Sequence, residues 1–387
     1  MNKPFGVKVV SAIFFSATIG FAGFVAAIFS ALMGGEKFYM PLIIVITGGI
    51  IIFMIIGIFK LVKPRIFKLS MISFVSLALA TLGAYEINKA YHDSFAAVDD
   101  NEVDLYEYHP FSETTKAVSL PEPASITLEE QLPILDGATA LYPIYAAFVK
   151  ATYPKKEYDT LKSEVMVTKT NQAYLNLING NADIIFAAGP SKRQLQLAEQ
   201  RGVELRLTPI GREAFVFFVN SRNQVESLTL SQIQAIYAGE ILNWSEVGGN
   251  SNSIRAFQRP DDSGSQTALE KLMADKPLMT PPKKDVVAGM GGIISETSNY
   301  RNYRNSLGYS FRFFSTEMVK DGEIRHLQIN DVFPDKETIR SGEYPLTAEF
   351  YAITAGSDNP NVEPFIEWIL SDQGQMIIEK TGYVPIK

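Results

Sequence analysis

The chain has 387 residues, 47% of them hydrophobic, and it carries a formal net charge of −7. It contains no cysteine, which excludes disulfides, thiol chemistry and attachment through a lipidated N-terminal cysteine. The charge is uneven, because residues 86–387 hold 28 of the 35 basic and 41 of the 42 acidic residues and so carry a net charge of −13. An acidic region of this kind argues against nucleic acid as a partner, since binding to phosphates needs a basic surface.

Three apolar runs near the N-terminus predict a membrane anchor over residues 1–85. The runs at 9–35, 38–59 and 69–85 contain no charged residue. A bilayer core takes about 20 apolar residues of helix, so the first two runs predict membrane spans. The third run is short, but it can begin near Ile66 if Lys68 extends its ammonium group to the interface. A buried or interfacial helix is the alternative for this third run.

Basic residues predict the orientation of the spans. The link between the second and third runs contains four basic residues and no acid: Lys60, Lys63, Arg65 and Lys68. The link between the first two runs offers only Glu36 and Lys37. Basic links stay cytoplasmic, so we expect a multi-pass protein of the cell membrane with its C-terminal part on the extracytoplasmic side.

The remaining residues divide into a tether and an α/β domain. Residues 86–125 contain acidic clusters and prolines but also several aromatic residues, so we expect an extracytoplasmic tether that packs on the domain. From residue 126 to 387, short apolar runs such as "EAFVFFVN" alternate with helical patterns such as "TLSQIQAIYAG". This alternation predicts an α/β fold with mostly parallel sheets, and the length predicts two lobes.

The stretch "RPDDSGSQT" at residues 259–267 has the composition of an anion site. A helical pattern begins near Ser265, and the first turn of a helix offers unsatisfied N–H groups and the positive end of its dipole. Gly264 allows close approach to the backbone, Ser263 and Ser265 add hydroxyl donors, and Arg259 can donate two bonds to an oxyanion. The alternative is an ordinary capped helix with a surface arginine.

Four stretches in a fixed order carry a resemblance to a known family: "DGATALYPIYAAF", "GREAFVFFVN", "LTLSQIQAIYAGEILNWSEVGG" and "RPDDSGSQT". Over residues 130–387 they closely resemble the substrate-binding proteins of phosphate ABC transporters, in the type II periplasmic-binding superfamily. The resemblance implies two α/β lobes that are joined by crossing strands and close on inorganic phosphate, with ABC permease subunits as partners. We expect lobe 1 to comprise about 126–210 and 315–387, and lobe 2 about 211–314.

The resemblance also implies ligand residues on lobe 2. The family's arginine, serine, glycine and threonine donors correspond here to Arg259, Ser263, Gly264 and Ser265. The family's aspartate corresponds to Asp261, which is expected to orient the arginine. Asp262 is expected beside it, behind the residues that bind the anion, and is also a candidate acceptor for a proton of the anion.

Lobe 1 is expected to contribute two loops. The family's early Thr-Phe-Pro turn corresponds to Leu141, Tyr142 and Pro143, and leucine removes the threonine hydroxyl. Backbone N–H groups of Ala140 and Leu141, or Thr139 beside them, would then bind the anion. A gapless count from Asp183 puts the family's ligand serine at Thr170, for which a helix N-cap is the compatible alternative.

The same count puts alanine, Ala188, where the family has the aspartate that accepts the phosphate proton. Asp262, Asp136 and a backbone carbonyl are the candidate substitutes. We expect phosphate with a substituted acceptor rather than a broader oxyanion binder.

Enzymatic function is not predicted. Two of the three histidines, His92 and His109, lie in the tether, and no G-x-S-x-G or H-E-x-x-H spacing occurs. No motif predicts a metal or a cofactor. The alternative function is a phosphate or oxyanion sensor that signals through the transmembrane helices.

Overall fold

The computed structural model describes residues 4–35, 38–93, 97–98, 103–259, 261–280, 300–301, 304–318 and 324–386. These residues form two compact units, an N-terminal unit that ends with the third helix and a C-terminal unit that holds the other elements. The N-terminal unit is helical, and the C-terminal unit combines helices with a mixed sheet.

Three long helices form the N-terminal unit: α1 (Phe5–Ser30), α2 (Tyr39–Phe59) and α3 (Pro64–Asp93). Each is long and apolar enough to cross a membrane, with mean hydropathies of 2.1, 3.0 and 1.8 in their most apolar windows. Three apolar N-terminal helices were predicted, and the structure confirms the helices, while their passage through a membrane stays a prediction. α3 begins at Pro64, two residues ahead of the start that was predicted near Ile66, and proline suits the first turn of a helix.

α3 also continues beyond the predicted end of the third span. Residues 86–93, expected to begin the tether, are helical instead. They contain neither glycine nor proline, and extending an existing helix adds one hydrogen bond per residue without the cost of nucleation. The Tyr39 hydroxyl donates to the Glu86 carboxylate, which links the start of α2 to this extension.

The C-terminal unit contains these helices: α4 (Tyr142–Thr152), α5 (Lys169–Ile178), α6 (Lys192–Gln200), α7 (Leu230–Ala238), α8 (Gly264–Met273), α9 (Lys336–Ser341), α10 (Val362–Ile369) and α11 (Asp372–Thr381). Its strands are β1 (Ala97–Val98), β2 (Leu135–Gly137), β3 (Ile184–Ala188), β4 (Arg206–Asn220), β5 (Ser227–Leu228), β6 (Arg255–Ala256), β7 (Tyr300–Arg301), β8 (Ser306–Phe311), β9 (Ile324–His326), β10 (Gln328–Ile329), β11 (Thr347–Thr354) and β12 (Val384–Pro385).

The main sheet has the strand order β2-β3-β11-β4-β8-β6, and β9 and β12 also pair with β4. Among the described strands of this sheet, only β2–β3 and β6–β8 are parallel, while β11 is antiparallel to both β3 and β4. The prediction of mostly parallel sheets is therefore wrong. β4 carries the chain from one lobe to the other and β11 carries it back, so these neighbouring strands must run in opposite directions.

Two large hydrophobic cores define the lobes. The core of lobe 1 includes Tyr145, Phe148, Phe186, Phe365 and Trp368. The core of lobe 2 includes Phe215, Phe217, Tyr237, Trp244 and Tyr309. Each lobe thus has its own buried aromatic centre and one of the two tryptophans of the chain.

Residues after 312 contact the cores of both lobes. Lobe 1 was expected to resume at about residue 315, and Phe313, Phe314 and Met318 lie in its core. Further along the chain, Leu327, Ile329, Ile339 and Tyr344 belong to the core of lobe 2. β10 pairs with β5 in parallel, which holds this segment on lobe 2. β11 then pairs with β3 and β4 and brings the chain to lobe 1 for its last segment, so the expected lobe bounds stay a prediction.

Residues 103–132 lie on lobe 1. Tyr108, Ala117 and Leu128 are buried in its core, and partly buried apolar side chains between them pack on the same core. His109 is also buried, with its Nε2 2.9 Å from the carbonyl oxygen of Tyr158. Aromatic residues in this acidic segment thus provide apolar contact area with the domain.

Candidate anion-binding cleft

The first turn of α8 lies where the sequence predicts an anion cradle. Ser263 is the N-cap of this helix, and its Oγ accepts a hydrogen bond of 3.2 Å from the N–H of Gln266. That bond uses a lone pair of the hydroxyl, so its proton can still donate to a ligand. Ser265 is buried in the same turn. The helix cap and the anion cradle are therefore compatible rather than alternative interpretations.

The backbone that carries Arg259 is fixed from two sides. The Arg259 N–H lies 3.0 Å from Oε1 of Gln266 and 2.9 Å from the hydroxyl oxygen of Tyr309. The Tyr309 hydroxyl also donates to Gln266. Both partners are buried, one on α8 and one on β8, so the arginine keeps a defined place beside the helix terminus. Neither Gln266 nor Tyr309 is among the site residues predicted from the sequence.

The early loop of lobe 1 forms a single 3₁₀ turn, Thr139–Leu141, between β2 and α4. Leu141 is buried, and its N–H donates to the Ala138 carbonyl at 2.9 Å. That bond occupies the N–H through which Leu141 was predicted to bind the anion, and the role of Leu141 as a ligand stays a prediction. In the described part of the chain the N–H groups of Thr139 and Ala140 have no backbone acceptor, so these two remain candidates.

Thr170 lies in the first turn of α5 and is not its N-cap. The N-cap is Thr168, whose hydroxyl donates to Asp136 at 2.6 Å. Lys169 follows with a φ of +69°, which turns the chain sharply into the helix. The hydroxyl of Thr170 therefore does not cap the N-terminus of α5.

Residues from both lobes meet at Gly264. A Cβ atom at this position would lie 3.4 Å from Oγ1 of Thr170, 3.7 Å from the Phe311 ring and 3.8 Å from Cβ of Ala188. Thr170 and Ala188 belong to lobe 1, while Gly264 and Phe311 belong to lobe 2. The predicted ligand groups of the two lobes therefore face each other across a narrow cleft, and glycine leaves the N-terminus of α8 uncovered.

Asp136, one candidate acceptor for a phosphate proton, is already hydrogen-bonded to other groups of the protein. It is fully buried in the middle of β2 and accepts four hydrogen bonds. The donors are the N–H groups of Gly137 and Thr168, the Thr168 hydroxyl and the Asn176 amide, at 2.6–2.8 Å. This carboxylate fixes the loop that leads to Thr170. The structure contradicts its candidacy as the acceptor.

The two aspartates before α8 face opposite environments. Asp261 is exposed, so its orienting role towards Arg259 stays a prediction. Asp262 is buried and binds lobe 1 instead of the arginine. Its carboxylate accepts from the Ser191 hydroxyl at 2.7 Å and from the Arg193 guanidinium at 3.1 Å. The second candidate acceptor is thus also engaged with protein donors.

Glu213 lies on β4 near the point where this strand passes between the lobes. It is buried, and burial raises its pKa to about 7, although the N–H groups of Ala214 and Phe313 and the charges of Arg312 and Lys336 act to lower it. Those N–H groups donate to the two carboxylate oxygens at 2.9 and 3.2 Å. A carboxyl group with this pKa changes its charge near neutral pH inside the crossing strand.

Glu213→Gln is expected to change how stability depends on pH. Because the pKa in the folded state lies above the usual 4.5, the contribution of the protonated form is complete below pH 4.5 and is lost as the pH rises through 7. The free energy of unfolding of the wild type should fall by about 3 kcal/mol relative to the variant over this range. Urea unfolding followed by tryptophan fluorescence measures it, since both tryptophans lie in the lobe cores. A constant difference between the two proteins would contradict the assignment.

Comparison with known proteins identifies the class. The chain belongs to the PBP superfamily, since the family model described as "PBP superfamily domain" matches residues 134–373. This membership confirms the predicted two-lobed α/β fold and a binding protein rather than an enzyme. The three apolar helices lie outside the matched residues.

Relatives within this class are named for phosphate. The phosphate-binding protein PstS of Borreliella burgdorferi is 26% identical over 266 residues, which cover 67% of this chain and 91% of the relative. A PstS protein of Pseudomonas aeruginosa is 23% identical over 255 residues, which cover 60% and 76%. A phosphate ABC transporter substrate-binding protein from Clostridium perfringens, crystallised with phosphate, has a TM-score of 0.50 and 23% identity, and the match covers 67% of this chain and 100% of that one.

Proposed function

We propose that this protein captures inorganic phosphate between its two lobes and delivers it to an ABC permease, while the three N-terminal helices hold it in the membrane. The observation that carries the proposal is the meeting of the α8 N-terminus with Thr170 across the cleft. Relatives named phosphate-binding protein supply the ligand class.

The donor set suits a tetrahedral oxyanion. Lobe 2 offers the guanidinium of Arg259, the hydroxyls of Ser263 and Ser265 and the first N–H groups of α8. Lobe 1 offers the hydroxyl of Thr170 and the N–H groups of the 139–140 turn. Because ligand groups lie on both lobes, an anion binds the closed arrangement more tightly than the open one. Binding of the anion therefore favours closure of the lobes.

Selectivity for phosphate requires an acceptor for its proton, because a buried donor without a partner is costly. Ala188 supplies no carboxylate, and Asp136 and Asp262 are bonded to protein donors. Of the acceptors considered, a backbone carbonyl at the cleft remains. We propose that such a carbonyl takes the proton and that phosphate is preferred over sulfate.

Location and orientation follow from the anchor. The basic link 60–68 is proposed to lie in the cytoplasm and the C-terminal unit outside. In that position the cleft would meet phosphate before it crosses the membrane, as delivery to a permease requires. Sensing through the helices would need a partner with a signalling domain.

Membrane vesicles test capture and orientation together. Right-side-out vesicles that contain the full-length protein should bind labelled phosphate saturably, whereas inverted vesicles should bind it only after permeabilisation. Vesicles with Arg259→Ala are the matched control and should bind little. Binding confined to inverted vesicles would overturn the orientation, and absence of saturable binding in both kinds would overturn phosphate capture.

A further inference from the structure

Asp262 has a backbone conformation that few residue types adopt. Its φ is +62°, in the left-handed region, which aspartate and asparagine tolerate better than other residues with a side chain. The residue is only 6% exposed. Such a conformation persists where surrounding contacts hold it, so the contacts of this side chain indicate what it does.

Those contacts all reach lobe 1, although Asp262 itself belongs to lobe 2. The Ser191 hydroxyl donates to Oδ1 at 2.7 Å, and the Arg193 guanidinium donates to Oδ2 at 3.1 Å. The Gln194 amide lies 3.4 Å from the Asp262 carbonyl oxygen. The partners occupy the start of α6, where the positive end of the helix dipole adds to the attraction.

The contact borders the cleft on both sides. Asp262 directly precedes Ser263, the N-cap of α8, and Ser191 follows closely after Ala188 at the end of β3. Bonds between the lobes form only when the lobes are together. They therefore stabilise the closed arrangement and contribute nothing to an open one.

We infer that Asp262 is a closure latch, a positioning residue that holds the two lobes together through Ser191 and Arg193 and does not accept the proton of the anion. The inference rests on the proposed function, because it assumes that the anion binds between the lobes. A latch raises the population of the binding-competent state and so raises the affinity for every anion by the same factor. A proton acceptor would instead favour phosphate over sulfate.

Three variants separate the two contacts of the latch. Asp262→Ala removes both and is expected to weaken binding of phosphate and of sulfate about tenfold each. Asp262→Asn tolerates the positive φ and can still accept from Ser191, so it should lose only the ion pair. Because the Arg193 side chain is 79% exposed, Asp262→Asn and Arg193→Ala should each weaken binding about two- to fivefold.

The affinity for each anion and the distance between the two lobes are both measured on the full-length protein in detergent. The double variant Asp262→Asn/Arg193→Ala should bind no more weakly than either single variant, since the two residues form one pair. The control is Arg201→Ala, which removes the exposed arginine at the C-cap of α6 and should bind as the wild type does. The chain has no cysteine, so spin labels at Glu199→Cys and Ser251→Cys, one on each lobe, report the distance between the lobes. Without ligand, this distance should be longer in Asp262→Ala than in the wild type.

The outcomes distinguish the latch from the proposed function. Unchanged affinity and unchanged distance in Asp262→Ala would overturn the latch. A loss for phosphate without a loss for sulfate would also overturn it, because the residue would then be the proton acceptor. A longer distance in a protein whose wild type binds neither anion would support the latch and contradict phosphate capture.

Discussion

Arg259→Ala is expected to weaken phosphate binding about 30-fold or more. Truncating one partner of a buried charged pair costs about 2–5 kcal/mol, and 1.4 kcal/mol corresponds to about a tenfold change in affinity. The Arg259 N–H is held by Gln266 and Tyr309, which keeps the residue beside the α8 N-terminus. Calorimetry on the full-length protein in detergent measures the change.

Two companion variants sharpen this test. Arg259→Lys keeps the charge but loses the planar pair of donors, so its affinity should lie between those of the wild type and the alanine variant. Arg201→Ala removes an exposed arginine of lobe 1 and should have no effect. A loss below about threefold in a folded Arg259→Ala protein would mean that the guanidinium does not contact the anion.

Asp136→Ala is expected to lower the free energy of unfolding by about 3 kcal/mol or more. The carboxylate is fully buried, and its removal leaves the four groups that donate hydrogen bonds to it without an acceptor. Because Thr168 is among the donors, the start of α5 should shift and phosphate binding by Thr170 should weaken as well. Urea unfolding followed by tryptophan fluorescence measures the stability.

The control for Asp136 is Asp275→Ala, at an exposed position where a change within about 0.5 kcal/mol is expected. Asp136→Asn preserves the volume but places an amide donor against donors, so it should also destabilise the protein. Equal stability of Asp136→Ala and Asp275→Ala would show that Asp136 does not organise the loop.

Local sequence patterns predicted the parts of the site that are local in the chain. Arg259, Ser263, Gly264 and Ser265 occupy one short stretch, and capping chemistry indicates a helix that begins there. The structure begins α8 at Gly264 and caps it with Ser263. The three apolar helices were predictable for the same reason, since length and hydropathy are properties of single segments.

Contacts between distant segments were not predictable in this way. Asp136 was considered as an acceptor because it precedes the first loop, but its bonds to Thr168 and Asn176 depend on how α5 packs on β2. Asp262 contacts Ser191 across the two lobes, and no periodicity in the sequence encodes this contact. Leu141 was predicted to bind the anion through its N–H, but in the 3₁₀ turn this N–H donates to the carbonyl of Ala138.

Strand direction was misjudged for a related reason. Alternating strands and helices are typical of parallel βαβ units, and β2–β3 is such a pair. A chain that passes twice between two lobes must also place strands of opposite direction side by side, as β4 and β11 are. The apolar pattern of β4 indicates burial but carries no information about its neighbours' direction.

Competition between phosphate and sulfate for the full-length protein, at acid and at alkaline pH, tests the central claim most directly. Sulfate has no proton to donate, so a cleft in which a backbone carbonyl accepts the phosphate proton should prefer phosphate. A site that hydrogen-bonds a substrate hydroxyl discriminates in the same way against an analogue that lacks it. We predict a preference of about a hundredfold or more at both pH values. Equal binding of sulfate would contradict phosphate capture and would make the protein a general oxyanion binder.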